Sequence, residues 1–362
     1  MSDTVFLTGA TGYIGSGLLQ TWLEKTDAAI VVLARGKRGA SPRARVEAAL
    51  AALIPDADAR RFEKRLEVIE GDVSFERFGL GPQEYCELAS RVTHIIHCAA
   101  AARFDLELDD ARKTNVGGTR SVLDFARACG GLRRIDYIGT AYVAGRRAGV
   151  IREDELDEGQ EHGNTYERSK MEAEKLVRES MRELPISVLR PSIVICDSRT
   201  GRASSFNGFY RAMRMYALGL MRAVPGDPSS TMDLVPVDYV TEAIYSISNN
   251  PASVGRCYHL TAGLGNAPTL EEIAALASEH FGREKFAIVP PEAFAAGIAK
   301  LEGKLGEKEA DALKELLLYM PYLNGRLSFD SSNTLRDTGL EAPRAASYFG
   351  KMAEYIRLRE TL

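Results

Sequence analysis

The 362-residue chain reads as an α/β protein built on a doubly wound parallel sheet, with a smaller, mainly helical C-terminal domain over the sheet's ligand edge. Three observations lead there. Short β-branched runs alternate with longer helical patterns through the first two hundred residues. Those runs are continuously apolar rather than alternating. Three glycines stand between the first run and the first helical pattern. Apolar strands separated by helices imply right-handed crossovers and a sheet covered on both faces.

The expected strands are "TVFLT" (4–8), "AIVVLAR" (29–35), "LEVIEGD" (66–72), "HIIHCAA" (94–100), "RIDYIGT" (134–140) and "ISVLRPSIV" (186–194). Helices are expected near 14–24, 42–53, 84–90, 109–128 and 165–182; the second opens on Ser41-Pro42, an N-cap and first-turn pair. Beyond about residue 200 the texture changes. A Met-rich, aromatic helix is expected over 206–221, then a turn at 225–230, then a helix and strand ("DLVPVDYVTEAIYSI", "RCYHLTA") that return to the main sheet. From 269 a helix, a short strand "FAIVPP" and a long helical region to about 319 follow. Residues 1–200, with 233–262 returning to them, are thus expected as the nucleotide-binding domain, and 201–232 with 263–362 as a substrate-binding lid.

Composition excludes several classes. Hydrophobic content of 45%, charged content of 27% and a net charge of −4 suit a soluble globular protein and give no electrostatic case for nucleic acid or an anionic membrane surface. The cysteines (Cys86, Cys98, Cys129, Cys196, Cys257) are scattered, without a CxxC pair or a nearby His at metal-ligand spacing. Free thiols in a reducing compartment, no disulfide framework and no metal site are expected. The first residues run straight into a strand, which argues against a signal peptide, and no apolar run reaches the ~18 residues of a transmembrane helix. A cytoplasmic protein is expected.

"VFLTGATGYIG" places Gly9, Gly12 and Gly15 at the turn from the first strand to the first helix. Such a turn lets the backbone approach a pyrophosphate, and the helix N-terminus adds unpaired N–H groups and a positive dipole end. The spacing is G-x-x-G-x-x-G rather than G-x-G-x-x-G. At its place in an alternating α/β chain it identifies a Rossmann dinucleotide site. At the end of the second strand, where an NAD site usually carries an acid, stands Arg35. A guanidinium suits a 2′-phosphate and selects NADPH over NADH, with Arg45 a second candidate. Lys37, Arg38 and Arg43 read as a solvated face. Asp72 and Val73, after the third strand, would flank the adenine.

Within "NTYERSKMEAEKLV" (164–177), Tyr166 and Lys170 share one helical face. Thr140 ends the strand before that helix, at the carboxyl edge where doubly wound folds bind ligands. Hydride arriving at a carbonyl leaves an oxyanion that needs a proton. A free phenol, with a pKa near 10, gives one up poorly until a nearby ammonium favours the phenolate. Thr140 can donate to the same oxyanion.

Thr140, Tyr166 and Lys170, with "TGATGYIG", "GDV", "HCAA", "NVGGT", "YIGTAYVAG", "YERSK" and "LRPSIV", resemble the extended short-chain dehydrogenase/reductase superfamily. The resemblance implies that Lys170 also holds the nicotinamide ribose and that Asn115 is the structural Asn supporting a water path to the Lys; a locally bonded helix residue is the other reading of Asn115. It implies further cofactor contacts at Thr11, Tyr13, Ile14, Ala99, Ala100, Pro191 and Ile193. "IIHCAAAARFDLELDDARKTNVGGTRSVLDFA", "GFYRAMRMYALGLMRAVPGDPSSTMDLVPVDYVTEAI" and "LARGKRGASPRARV" are similar to NADPH-dependent fatty acyl-CoA reductases and thioester reductase domains, well over about 4–262 and more thinly beyond. Gly139 stands where such proteins often carry Ser.

The implied reaction is reduction of an acyl thioester, delivered by coenzyme A or a separate acyl carrier protein, to an aldehyde and then an alcohol. Helix 206–221 either lines an acyl channel or packs on the sheet; Arg103 and Phe104 are substrate-contact candidates, and His97 reads as a satisfied core histidine. Another extended family member, acting on a nucleotide sugar or other carbonyl, and a non-catalytic NADPH-binding regulator stay open beside it.

Overall fold

The computed structural model describes residues 3–54, 60–203, 208–301, 317–323 and 325–360. The main sheet holds seven parallel strands among the described residues: β1 Thr4–Thr8, β2 Ala29–Ala34, β3 Leu66–Glu70, β4 His94–His97, β5 Arg134–Ile138, β7 Ile186–Pro191 and β11 Cys257–Leu260, in the order β11-β7-β5-β4-β1-β2-β3. The strands sit where the apolar runs predict; β1 fills its run, and the others end one to three residues early because the last residues of those runs leave the ladder at the ligand edge. β6 Gly149–Ile151 and β8 Ile193–Ile195 lie outside this sheet.

Helices α1 Tyr13–Lys25, α2 Pro42–Ala51, α3 Pro82–Arg91, α4 Leu108–Arg112, α5 Gly118–Ala128 and α6 Thr165–Ser180 flank it. One apolar cluster (Leu7, Leu18, Trp22, Val32, Tyr239) fills one face and another (Phe6, Phe78, Phe125, Val177, Val188) the other. β1 is the hinge of the topology. The chain runs outward through β2 and β3, then returns past β1 to β4, so the strand order reverses between β1 and β4. The crevice at that reversal is where open α/β sheets take their ligands.

The helix expected over 109–128 is interrupted: α4 and α5 are joined by a π-helical turn, Lys113–Gly117. Asn115 lies within this turn, its side chain drawn onto the Ala101 backbone and Ser169 rather than left on a helix surface. At the start of α5, a Cβ on Gly118 would lie 2.8 Å from Val73 Cγ2, so the glycine permits the close packing of Val73.

The later segments are α7 Gly208–Ala217, β9 Ala223–Pro225, β10 Leu234–Pro236, α8 Val237–Ser248, α9 Leu270–Phe281, β12 Ala287–Val289, α10 Pro291–Leu301, α11 Met320–Leu323, β13 Leu327–Phe329, α12 Ser332–Thr338 and α13 Phe349–Glu360. Three parallel pairs, β8–β10, β9–β12 and β6–β13, fasten them together. A separate cluster around Phe209, Met213, Leu270, Ile273 and Phe349 is their core. The helix expected to reach 221 ends at Ala217, where the chain turns through Gly219 at φ 78°. The stretch expected as one helix from 233 begins as strand β10, because "LVP" pairs with β8 before the helix starts. The helical region expected to about 319 is seen as α10; residues 302–316 lie outside the described residues. No described helix is long and apolar enough to cross a membrane.

Candidate active site

The glycine turn is set by contact. Gly9 has φ 80°, and a Cβ there would stand 2.6 Å from the Ala99 nitrogen. Gly15, inside α1, faces the turn so closely that a Cβ would lie 2.1 Å from the Gly9 carbonyl oxygen. Gly12 caps α1 without a side-chain hydrogen bond, and no acid occupies the first turn. The helix N-terminus therefore keeps its donors and positive dipole end for an anion. These residues fit a dinucleotide pyrophosphate.

At the ends of β2 and β3 a second group is linked. Arg45 donates to Thr11 Oγ1 at 3.2 Å and to the Arg35 carbonyl at 2.5 Å, and Arg35 donates to Asp72 Oδ2 at 3.1 Å. Burial works to raise the Asp72 carboxyl, but the Ser74 amide and hydroxyl and the Arg35 guanidinium outweigh it and hold it below its ordinary range. Lys37, Arg38 and Arg43 are exposed, Arg43 pairing with Glu47.

Gly12, Tyr13, Ile14, Gly15, Ala100, Thr140, Tyr166, Lys170 and Ile193 all line one cavity of about 350 Å³. Tyr166 and Thr140 thus face the same space. Asn164 caps α6 by accepting from the Glu167 amide at 2.9 Å, which fixes where the Tyr–Lys face begins. Lys170 is buried; its Nζ donates to the Ile138 carbonyl at 2.8 Å and stands 4.4 Å from the Tyr137 ring centre. Burial lowers the Lys170 ammonium to about 8, with Cys98 and Glu174 acting the other way. Burial pushes the Tyr166 phenol up to about 12, with the Thr140 hydroxyl acting the other way. In the polypeptide itself the phenol is raised rather than lowered, burial being the largest cause, and Tyr166 is held protonated.

Asn115 stands behind this row. Its Oδ1 accepts from the Ala101 amide at 2.8 Å and its Nδ2 donates to Ser169 Oγ at 2.9 Å, while Ser169 in turn donates to the Tyr166 carbonyl. It ties the loop after β4 to α6 and acts through the helix. Val73, Pro191 and Ala99 are among the candidates that do not line this cavity. Val73 is buried against Gly118, Pro191 is paired with Leu260 inside the sheet, and Ala99 donates to Thr8 Oγ1 at 3.3 Å behind the glycine turn. His97 is a core residue, bonded to Thr8 and Thr119 and lowered by burial to about 3. Arg103 points to exposed Asp105, whereas Phe104 lines the cavity.

Sequence reasoning misses two groups. Tyr142, Tyr319 and Tyr322 form, with Phe104, an aromatic wall facing Tyr166. Beneath the site Glu174, four residues after Lys170, makes a bidentate pair with fully buried Arg190 at 2.6 and 2.9 Å, and Arg190 also meets His259. A Cβ at Gly139 would touch this pair at 3.4 Å. The Tyr of "GTAYVAG" and the Arg of "LRPSIV" are the local signals for these groups, but their partners lie elsewhere in the chain.

A doubly wound sheet with an uncapped glycine turn at its switch point defines an NAD(P)-binding α/β protein. The sequence pattern described as Male sterility protein matches residues 7–244, and the chain belongs to that family. The putative fatty acyl-CoA reductase CG8303 of Drosophila melanogaster is 26% identical over 330 residues, covering 80% of this chain and 60% of that protein. Nonribosomal peptide synthetase asaC of Aspergillus flavus is 29% identical over 271 residues, covering 71% and 26%. The chain thus spans less than two thirds of either relative. The terminal R domain from the myxalamid PKS-NRPS biosynthetic pathway superposes with a TM-score of 0.85 at 29% identity, over 100% of this chain and 92% of that one. The likeness to acyl-CoA reductases and thioester reductase domains expected from the motifs is borne out.

Proposed function

We propose that the protein is an NADPH-dependent reductase of an acyl thioester, borne by coenzyme A or a separate acyl carrier protein, giving an aldehyde and in a second round the alcohol. One observation carries this reading: Tyr166 and Thr140 line a cavity whose far wall is apolar, with Phe209, Met213, Met221, Met232, Leu270 and Phe286. Such a wall suits an acyl chain. A nucleotide sugar would bring hydroxyls and phosphates that it cannot pair.

In this reading bound NADPH supplies the hydride. The glycine turn and the N-terminus of α1 hold its pyrophosphate, and Arg35 and Arg45 meet the 2′-phosphate. Thr140 and Tyr166 donate to the thioester carbonyl oxygen, and Tyr166 gives its proton as the carbonyl carbon becomes tetrahedral. Lys170 stabilises the phenolate that remains. The hemithioacetal hydroxyl then returns a proton to Tyr166 as the C–S bond breaks, and the sulfur leaves as a thiolate that takes up a proton from solvent.

The test is cofactor oxidation with NADPH or NADH across acyl-CoAs, carrier-bound acyl thioesters, nucleotide sugars and aldehydes, with products identified. Aldehyde or alcohol from a thioester is expected. Turnover of a ketone or sugar but of no thioester overturns the reading. An Arg35→Ala/Arg45→Ala variant should raise KM for NADPH at least tenfold and leave that for NADH nearly unchanged.

A further inference from the structure

Lys170 is buried, and among the described residues no carboxylate forms an ion pair with it; its Nζ donates only to the Ile138 carbonyl, at 2.8 Å. An ammonium carries three donors and a full charge, and a buried charge that nothing compensates is driven to its neutral form. The groups around Nζ are His97 and Cys98 at the end of β4, Tyr166 and Glu174 on α6, Tyr137 on β5, and Arg190 of β7 behind Glu174. Burial keeps three of them uncharged: the His97 imidazole is lowered to about 3, and the Cys98 thiol and Tyr166 phenol are raised to about 12. Glu174 is committed elsewhere, Oε1 accepting from Arg178 at 3.0 Å and from Arg190 at 2.6 Å, and Oε2 from Arg190 at 2.9 Å. What remains for the ammonium is the ring of Tyr137, its centre 4.4 Å from Nζ. That ring is fixed by its surroundings. It is buried in β5, the His97 ring lies 5.9 Å away, and a Cβ on Gly139 would stand 3.4 Å from Tyr137 Cε1. Its buried hydroxyl makes no hydrogen bond among the described residues, nearby Thr119 being bonded to Asn115 and His97. The position therefore uses the face of the ring and not the hydroxyl.

We propose that Tyr137 is a positioning residue for the reduction: the face of its ring seats the Lys170 ammonium through a cation–π contact and holds the charge where no carboxylate is paired with it. The negative face of an aromatic ring attracts a cation within about 6 Å of its centre, most strongly where water is excluded. Tyr137 does not line the cavity that holds Tyr166 and acts only through Lys170. One strand thus delivers three parts of the site, since β5 and the residues after it supply the Tyr137 ring, the Ile138 carbonyl and Thr140. The seat stands on contact geometry; its effect on turnover rests on the thioester reading above, in which Lys170 stabilises the Tyr166 phenolate.

The test varies the electron density of the ring while keeping its shape. Tyr137→Phe is compared with variants carrying phenylalanine with one, three and five fluorines at position 137, because fluorine withdraws electron density from the ring face. The Lys170 titration is followed by NMR of isotope-labelled lysine side chains, its signal assigned by loss in Lys170→Arg. Tyr137→Phe should keep the midpoint of the unaltered protein. Each added fluorine should lower it, by roughly one pH unit across the series. A packing role alone would appear in urea unfolding and leave the midpoints unordered by fluorine content. Midpoints that do not follow fluorine content overturn the proposal. In single-turnover reduction of an acyl thioester the alkaline limb should move with the Lys170 midpoint. If the midpoint follows the ring but the limb stays fixed, or no thioester is reduced, the seat stands and the parent reading of Lys170 falls.

Discussion

Tyr166 and Lys170 divide the proton work unequally. Burial pushes the phenol up to about 12, so Tyr166 stays protonated across the working range and is poised to donate. Burial lowers Lys170 from its ordinary 10.5 to about 8, so its charge is present below that value and lost above it. The charge matters after the proton has left, because a phenolate without a neighbouring cation is expensive in a buried site. Single-turnover reduction should therefore fall as pH rises through about 8. A Lys170→Arg variant, always charged, should lose that alkaline limb while turning over more slowly. A Tyr166→Phe variant should lose roughly 10²–10⁴ in rate, the usual worth of general acid catalysis, with dinucleotide affinity retained. Stopped-flow pH profiles of the three proteins decide it; an unaltered limb in Lys170→Arg would remove Lys170 from this role. The residue types were legible in the sequence because Tyr166 and Lys170 lie four apart on one helix. The direction of the Tyr166 shift was not, since it depends on how deeply the chain buries the phenol.

Helix α6 carries both residues, and its placement is decided on its inner face. Glu174 lies one turn beyond Lys170 and pairs with Arg190 of β7, both fully buried, while Arg178 adds a second cation to Glu174. Removing one partner strands the other charge. Glu174→Gln should cost about 3–5 kcal/mol, as broken buried pairs do, whereas Glu174→Gln with Arg190→Met should recover much of it, since replacing both charges is often neutral. Denaturant unfolding of the single and double variants checks this; a double variant no more stable than the single one would show that the pair is not what holds α6. The alternating strands and helices were legible because apolar runs are local. The glycine turn was legible because its three glycines stand close together in the chain, although the contact that Gly9 makes with Cys98 and Ala99 was not. The Glu174–Arg190 pair and the β6–β13 ladder were not, since β6 and β13 lie far apart in the chain and neither shows a periodic pattern of its own. The tyrosine wall was hidden for the same reason: Tyr142 and Tyr322 meet at 4.7 Å only after the fold is complete.

At the scale of the molecule, Asp233 sits where the main sheet meets the later segments, bonded to Ser192 just after β7 and to Ala262 just after β11. Burial raises its carboxyl from 3.8 to about 6. The sign follows from which form the fold prefers. The folded chain favours the protonated acid, so the stability this site contributes is full below about pH 3.8 and lost as pH rises through about 6. Near neutrality the fold carries an ionised, half-satisfied carboxylate at a cost of up to about 3 kcal/mol, taking 1.36 kcal/mol per pKa unit. Asn has nearly the same shape. Its Oδ1 can keep both existing hydrogen bonds, and its amide is neutral. Asp233→Asn should therefore be more stable than the unaltered protein at pH 8 and gain much less at pH 5, measured by urea unfolding at both values. An Asn variant that is destabilised equally at the two pH values would show that the carboxylate is not under this strain. The gain at pH 8 would mean that the fold tolerates an acid where an amide is better. Asp233 also borders a cavity of about 630 Å³ that shares Tyr142 and Tyr322 with the Tyr166 cavity.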